Sequence, residues 1–128
     1  MKLLLDTHII LWAAGQPDRL SDTARRMLLD SGNALFFSAA SLWEIVIKRN
    51  LGMDDFKVDP FRLRKLLVIN GYSELVVNTE HVLRVDTLPL FHKDPFDRIL
   101  IAQARSEGMV LLTVDAAVIQ YQEAVMEV

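Results

Sequence analysis

Short apolar runs alternate along this chain with longer segments that carry helix start and stop signals. The runs are continuous rather than alternating in polarity, which is typical of strands buried on both faces of a parallel sheet. We predict strands at Lys2–Leu5, Ala34–Phe37, Glu74–Val77 and Met109–Thr113, with a further short strand near Val125–Glu127. This order predicts an α/β fold, a three-layer α/β/α sandwich around a parallel sheet of four to five strands.

Helix signals fill the intervals between the apolar runs. Serine and aspartate side chains cap first turns, proline suits the first helical position, and glycine commonly follows the last turn. On these signals we predict helices over Thr7–Ala14, Asp22–Asp30, Ala39–Asn50, Pro60–Asn70, Thr79–Val85 and Pro95–Glu107, and a short helix after Asp115. Helices between successive strands support the layered fold.

Length and composition restrict the class of protein. The 128 residues suit a single domain over residues 1–128, and a hydrophobic fraction of 52% is enough for a core without cross-links. The chain has no cysteine, which excludes disulfides, thiolate metal sites and a cysteine nucleophile, and this fits a cytoplasmic protein. No apolar run approaches the roughly 20 residues of a membrane span, so we expect no membrane association.

The formal net charge of −3 is unlike that of a general nucleic-acid coating protein, although it does not exclude a nucleic-acid substrate. Basic residues do concentrate in the middle of the chain, where they alternate with aspartates. We interpret this stretch as solvent-exposed helix faces. Its basic members are Lys48, Arg49, Lys57, Arg62, Arg64 and Lys65.

Four acidic residues border the predicted strands and helix starts. Asp6 ends the first apolar run and Asp115 follows the fourth, whereas Glu44 lies in the helix that leaves the second run and Asp97 opens the helix after Asp94-Pro95. The carboxyl ends of parallel strands share one edge of a sheet, where ligands bind. Carboxylates gathered there would repel one another unless a cation or protons neutralised them. A divalent cation is the simplest partner for such a cluster.

Taken singly, each of these acids also has a local explanation. Asp6, Asp94 and Asp115 precede helices and suit N-cap positions. Asp97 would lie in a first turn, where a negative charge favours the positive end of the helix. Glu44 follows a serine, Ser41, by three residues, which is the spacing of a capping box. We assign Asp94 to capping first and to metal binding second, and we take the other acids together as one candidate site.

Oxygen ligands favour Mg²⁺, with Mn²⁺ as a substitute, and such an ion can activate water and stabilise a leaving oxygen. Zinc is disfavoured because the histidines lack a metal-binding spacing. We interpret His92 as an exposed loop residue, and His8 as a helix-surface residue or as a residue that supports the metal ligands. Trp12 and Trp43 lie in apolar helical stretches and are interpreted as core or interface aromatics.

Four ordered blocks of the sequence resemble a PIN domain, and in particular the VapC-type toxins of bacterial type II toxin–antitoxin systems. The blocks are Leu4–Trp12, Ser38–Ile45, His92–Ala104 and Leu112–Asp115. The resemblance implies a Mg²⁺-dependent ribonuclease in which Asp6, Glu44 and Asp97 match the three core acids of the family. Asp115 matches the more variable fourth.

The same resemblance implies supporting residues and partners. Thr7, Ser38 and Thr113 lie beside the acids in the sequence and would orient waters or carboxylates, while Arg98 would pair with a phosphate or an acid. A cognate VapB-type antitoxin would insert a basic or aromatic C-terminal segment over the acidic pocket, and RNA would be the substrate. A homodimer would form through the helices that carry the two tryptophans.

Other functions remain open on the sequence alone. A PIN domain that has lost catalysis would serve as an RNA- or protein-binding module, and a PIN nuclease could act on DNA because a metal-activated water attacks either backbone. A receiver domain of two-component signalling would need an acid pair after the first strand and a lysine after the last. The sequence has neither, since Asp6 stands alone and no lysine follows Thr113.

Overall fold

A five-stranded, entirely parallel sheet forms the centre of the computed structural model, which describes residues 1–128. The strand order is β3-β2-β1-β4-β5. The strands are β1 (Lys2–Leu5), β2 (Ala34–Ser38), β3 (Ser73–Leu75), β4 (Val110–Thr113) and β5 (Val125–Glu127). Helices cover both faces of this sheet, so the predicted three-layer α/β/α fold is confirmed.

Seven helices connect the strands, close to the predicted positions. They are α1 (Thr7–Gly15), α2 (Asp22–Leu29), α3 (Ala39–Asn50), α4 (Pro60–Ile69), α5 (Thr79–Val85), α6 (Pro95–Glu107) and α7 (Ala116–Ile119). Two single-turn 3₁₀ helices, Pro17–Arg19 and Asp54–Phe56, were not predicted. Helix α6 ends at Gly108, whose φ of 66° lies in the left-handed region that glycine adopts without steric cost. None of the helices has the length and apolar character that a membrane crossing requires.

The third strand differs from its prediction. Glu74–Val77 was predicted, but pairing with β2 runs from Phe36 opposite Ser73 to Ser38 opposite Leu75. The ladder stops there because β2 itself ends at Ser38, where the chain turns into α3. The apolar residues beyond that point leave the sheet, so register with the neighbouring strand, rather than hydrophobicity, sets the end of β3.

Two apolar clusters lie on opposite faces of the sheet. Leu3 and Leu5 of β1 pack with residues of α1 to α4, whereas Leu4 packs with residues of α6 and α7. All three leucines are completely buried. Full burial of a leucine side chain stabilises a fold by roughly 1.5–3 kcal/mol, so β1 is a central element of the core on both faces.

The strand order reverses beside β1. The chain passes from β1 outward to β2 and β3, and then returns to the other side of β1 as β4. Leu5 is in register with both Phe37 and Leu112. The next residues along these strands therefore meet at one edge, and a ligand crevice is expected where strand order reverses.

Candidate active site

Asp6 is held rigidly at the carboxyl end of β1. Its Oδ1 accepts a hydrogen bond of 3.0 Å from the Ile9 backbone N–H as the N-cap of α1, and its Oδ2 accepts one from the Thr113 hydroxyl. The residue is only 5% exposed. Burial raises the pKa of the Asp6 carboxyl, and these two hydrogen bonds oppose that effect. The carboxylate is therefore fixed in position and is costly to leave charged without a cation.

Glu44 lies on the second turn of α3 and points back to the same edge. It is 4% exposed, and its Oε1 accepts a hydrogen bond of 2.6 Å from the Thr7 hydroxyl. The Thr7 hydroxyl also lies 3.1 Å from that of Ser41, which is fully buried. The capping-box interpretation of Ser41 and Glu44 was wrong, because the N-cap of α3 is Ser38, whose hydroxyl accepts from the Ala40 N–H. Ser41 supports Thr7 instead.

Asp97 is at the third position of α6, as predicted. Asp94 caps this helix, with its Oδ1 accepting from the N–H groups of Phe96 at 2.8 Å and Asp97 at 3.2 Å. The Oδ2 of Asp97 lies 2.7 Å from Nε2 of His92. Burial, together with the charges of Asp94, Glu44 and Asp115, raises the pKa of Asp97 to about 6, although the contact with His92 opposes this.

Asp115 completes the group at the end of β4. It is the N-cap of α7, with its Oδ1 accepting from the Ala117 N–H at 2.8 Å, and its own N–H donates to the Thr113 hydroxyl at 3.0 Å. Its charge contributes to the raised pKa of both Asp6 and Asp97. The fold thus brings the four acids, from distant parts of the sequence, into one electrostatically coupled cluster.

Two groups at this cluster were misjudged from the sequence. Lys48, which was interpreted as part of a solvated face, has a side chain only 22% exposed and contacts Oε2 of Glu44. The spacing of four residues on one helix was a usable signal for this pair. His92, which was interpreted as an exposed loop residue, has a side chain 23% exposed and contacts Asp97. No sequence periodicity links a loop residue to the next helix, so this contact had no comparable signal.

The one group of three side chains whose ligand atoms lie close enough together to share an ion contains only one of the four acids, Asp97. One ligand atom from each of His92, Asp94 and Asp97 lies within 4.8 Å of the others. Asp94 therefore combines its helix-capping role with a position beside the candidate site. This group offers an imidazole nitrogen as a metal ligand, whereas the sequence predicted only carboxylate ligands.

Ser38 lies at the expected edge but does not contact the acids. Its hydroxyl donates to Oε1 of Gln103 on α6 at 2.6 Å, and the Gln103 amide donates to the Val76 carbonyl at 3.3 Å. Both Ser38 and Gln103 are fully buried. This bond joins the start of α3 to α6, the two helices that carry Glu44 and Asp97.

Of the two partners expected for Arg98, an acid or a phosphate, the acid was wrong, and the phosphate stays a prediction. Its guanidinium donates to the backbone carbonyls of Val85, Pro89 and His92 and to the hydroxyl of Tyr121. The residue is only 9% exposed, so its guanidinium interacts with groups inside the protein and not with solvent. Arg98 holds the segment between α5 and α6, and the sequence alone could not distinguish this from a surface role.

A cavity of about 510 Å³ lies beside the acids rather than over them, between α1, α4 and the 3₁₀ turn that ends at Phe56. His8 and Trp12 line it, and the Arg19 guanidinium lies 4.8 Å from the centroid of the Trp12 indole. Trp43, in contrast, is 62% exposed on α3 and packs edge-on against Phe96. Trp12 packs against the apolar core, whereas the exposed Trp43 is not a core residue, and an interface role for it stays a prediction.

Three solved structures with the same fold are VapBC or other toxin–antitoxin complexes. VapBC-1 from nontypeable Haemophilus influenzae matches with 23% identity and a TM-score of 0.68, over 100% of this chain and 97% of the other. VapBC2 from Rickettsia felis, bound to a DNA fragment from its promoter, matches with 13% identity and a TM-score of 0.70, over 100% and 98%. A toxin–antitoxin complex from Klebsiella pneumoniae matches with 17% identity and a TM-score of 0.61, over 97% and 95%.

At these identities the similarity is one of fold. Among proteins of curated function, no sequence matches significantly. The model of the PIN domain family, however, matches residues 3–123, which is nearly the whole chain. Together with the parallel sheet and the acids at its edge, this match shows that the chain belongs to the PIN domain family.

Proposed function

We propose that this protein is a metal-dependent endoribonuclease and the toxin of a VapBC-type toxin–antitoxin system in the cytoplasm. The observation that carries the proposal is the convergence of Asp6, Glu44, Asp97 and Asp115 at the carboxyl edge of the sheet, with charges that influence one another. Membership of the PIN family and the toxin–antitoxin complexes among the structural neighbours support the same function.

The residues fit a hard divalent cation. Asp6, Glu44 and Asp97 offer carboxylate oxygens, which Mg²⁺ and Mn²⁺ prefer, and we infer that Asp115 contributes directly or through water. The pKa values of Asp6 and Asp97 are raised because the hydrogen bonds to these carboxylates do not offset the cost of burying their negative charges. A bound Mg²⁺ supplies a water of lowered pKa and stabilises the charge that develops at the phosphate.

The chain itself positions these ligands and supplies no competing nucleophile. The hydroxyl of Thr113 orients Asp6, and that of Thr7 orients Glu44. His92 orients Asp97. The Thr7 and Thr113 hydroxyls are buried and already donate to carboxylates, so they are not free to attack a phosphodiester. The nucleophile in this proposal is a water activated by the metal ion.

The test is cleavage of RNA by the purified protein with Mg²⁺ or Mn²⁺. Asp6→Asn and excess EDTA are each expected to abolish cleavage, because one removes a ligand and the other removes the ion. Asp18→Asn is the matched control, since the Asp18 side chain is fully exposed and lies in the 3₁₀ turn after α1, where it pairs with Arg25. Cleavage that survives Asp6→Asn and EDTA would refute the metal–carboxylate mechanism.

An antitoxin partner is tested separately in cells. Expression of the wild-type protein alone is expected to arrest growth, and the Asp6→Asn variant is expected to be harmless. Co-expression of a short reading frame adjacent to this one should restore growth and yield a copurifying complex. Harmless accumulation of folded wild-type protein would count against the toxin function. Sequencing of RNA ends after brief induction would identify the substrate.

A homodimer is part of the proposal. Helix α3 presents Trp43 and Val46 to solvent, with exposures of 62% and 39%. Large apolar side chains grouped on one helix are typical of protein interfaces. We expect the purified protein to elute at twice its chain mass of 14.6 kDa, and Trp43→Glu to shift it to the monomer.

A catalytically silent binding module is the second candidate. One observation favours it: Glu44 and Asp97 already have cationic or polar partners in Lys48 and His92. In that case the protein would bind RNA or a protein partner without cutting RNA under any metal condition. The cleavage assay with Mn²⁺ distinguishes the two functions.

A further inference from the structure

Lys48 lies within the acidic cluster rather than on the protein surface. Its ammonium contacts Oε2 of Glu44, a residue whose side chain is only 5% exposed, and its own side chain is 22% exposed. The ammonium also lies 4.9 Å from the ring centroid of Phe56, which is 3% exposed. The aromatic ring therefore covers one side of the ammonium, and the carboxylate lies on another.

The same spacing elsewhere in the chain gives a different kind of pair. Glu80 and Arg84 are also four residues apart on a helix, but their charged atoms are 3.9 Å apart and their side chains are 72% and 42% exposed. Such surface pairs contribute little to stability. The pair of Lys48 and Glu44 is shorter and more buried, so losing the lysine would leave a carboxylate charged and poorly solvated.

Lys48 is also influenced by the other acids. Partial desolvation disfavours its charged form, but the contact with Glu44 and the charges of Asp94 and Asp97 outweigh this and raise the pKa of the ammonium. Among the salt bridges of the structure, this is the only one that joins a lysine or arginine to an acid of the cluster. The ammonium is therefore the one permanent positive charge in contact with the site.

We propose that Lys48 is the resident counter-ion of the acidic cluster, and that Glu44 must release it before this carboxylate can bind a divalent cation. The inference deepens the proposed function, because it rests on metal binding by the same acids. Lys48 stabilises the metal-free fold by compensating Glu44, and for the same reason it weakens the affinity of the site for metal. Its flexible stem allows the ammonium to move towards solvent while the helix stays in place.

Titration calorimetry with Mn²⁺ alone tests this inference on the full-length protein. Lys48→Met keeps the apolar stem against Phe56 but removes the charge, and we expect it to tighten the Mn²⁺ dissociation constant by on the order of tenfold. Lys48→Arg keeps the positive charge beside Glu44, so it is not expected to tighten Mn²⁺ binding as Lys48→Met does. Lys57→Met is the matched control, since Lys57 pairs with Asp54 at 3.1 Å in a largely exposed ion pair.

Each outcome bears on the inference. Tighter binding by Lys48→Met but not by Lys57→Met supports it, as does Mn²⁺ binding that appears only in Lys48→Met. Equal or weaker binding by a folded Lys48→Met variant overturns it while leaving the metal site intact. Absence of Mn²⁺ binding in all variants overturns both this inference and the proposed metal chemistry. Tighter binding without any RNA cleavage would support the counter-ion and refute the proposed nuclease.

A thermal melt in EDTA provides a second readout. Lys48→Met leaves the buried Glu44 carboxylate without its partner, so we expect a lower melting temperature than in the wild type and a larger rise on addition of Mn²⁺. A melting temperature that responds to Mn²⁺ equally in both proteins would contradict a competing role for Lys48.

Discussion

Replacing Asp97 with asparagine should stabilise the metal-free protein at neutral pH. In the folded protein, burial and neighbouring acids raise the pKa of Asp97 to about 6 from the ordinary 3.8, so its ionised form is disfavoured there relative to the unfolded chain. A difference of about two units corresponds to roughly 3 kcal/mol of unfolding free energy. The Asp97 side chain is only 18% exposed, so solvent screens little of this cost. Asparagine removes the charge but retains an oxygen that can accept from His92.

The sign of this effect sets its pH dependence. Below about pH 4 the carboxyl is protonated in both the folded and the unfolded state, so it carries no penalty. Between about pH 4 and 6 the unfolded chain ionises first, and the wild type loses stability as the pH rises. Above about pH 6 the penalty is complete and constant. The stability of Asp97→Asn should therefore exceed that of the wild type at pH 7.5 and converge with it near pH 4.

Urea unfolding in EDTA, followed by circular dichroism at about pH 4.5, 6 and 7.5, measures this difference. Asp18→Asn removes the same charge from a fully exposed position beside Arg25 and is expected to change stability by less than about 0.5 kcal/mol at every pH. An Asp97→Asn variant that is no more stable than the wild type at pH 7.5 would refute the reasoning. A gain that does not depend on pH would do so as well, because it could not come from ionisation of Asp97.

Four further substitutions, one of them a control, test the supporting contacts. Gln103→Leu should cost about 2–4 kcal/mol in urea unfolding, because it leaves the buried Ser38 hydroxyl without an acceptor and the Val76 carbonyl without its donor. Ser106→Ala removes a buried hydroxyl that has no partner and should be nearly neutral. Tyr121→Phe should cost about 1–3 kcal/mol and speed amide hydrogen exchange in the segment before α6, which its hydroxyl holds. Thr113→Val should raise the pKa of Asp6 further, measured by NMR titration, because it removes a hydrogen bond that favours the carboxylate.

Local signals were sufficient for most of the secondary structure. Asp94 followed by proline predicted the start of α6, and Gly108 predicted its end, because capping and left-handed geometry depend only on neighbouring residues. The third strand was misplaced because its end depends on pairing with β2, which is a contact between distant segments. The same limit applies to the two 3₁₀ turns, which no periodic pattern predicted.

The sequence indicated which acids form the site, but it did not predict which side chains contact one another there. Ser38 was expected beside the carboxylates, yet its hydroxyl bonds to Gln103, 65 residues away. Arg98 was expected to pair with an acid or a phosphate, yet it binds backbone carbonyls of the preceding segment. Each of these side chains had several chemically reasonable partners, and only the packing of α3 and α6 selected one.

The sequence by itself determined which acids lie at strand ends and helix starts, because those positions follow from local hydrophobicity and capping. The tertiary structure alone decided that His92 contacts the cluster, that the pair of Lys48 and Glu44 is buried, and how strongly the charges of the acids influence one another. Desolvation and charge–charge energies depend on distance and burial in three dimensions, and neither quantity is encoded in the spacing of residues along the chain.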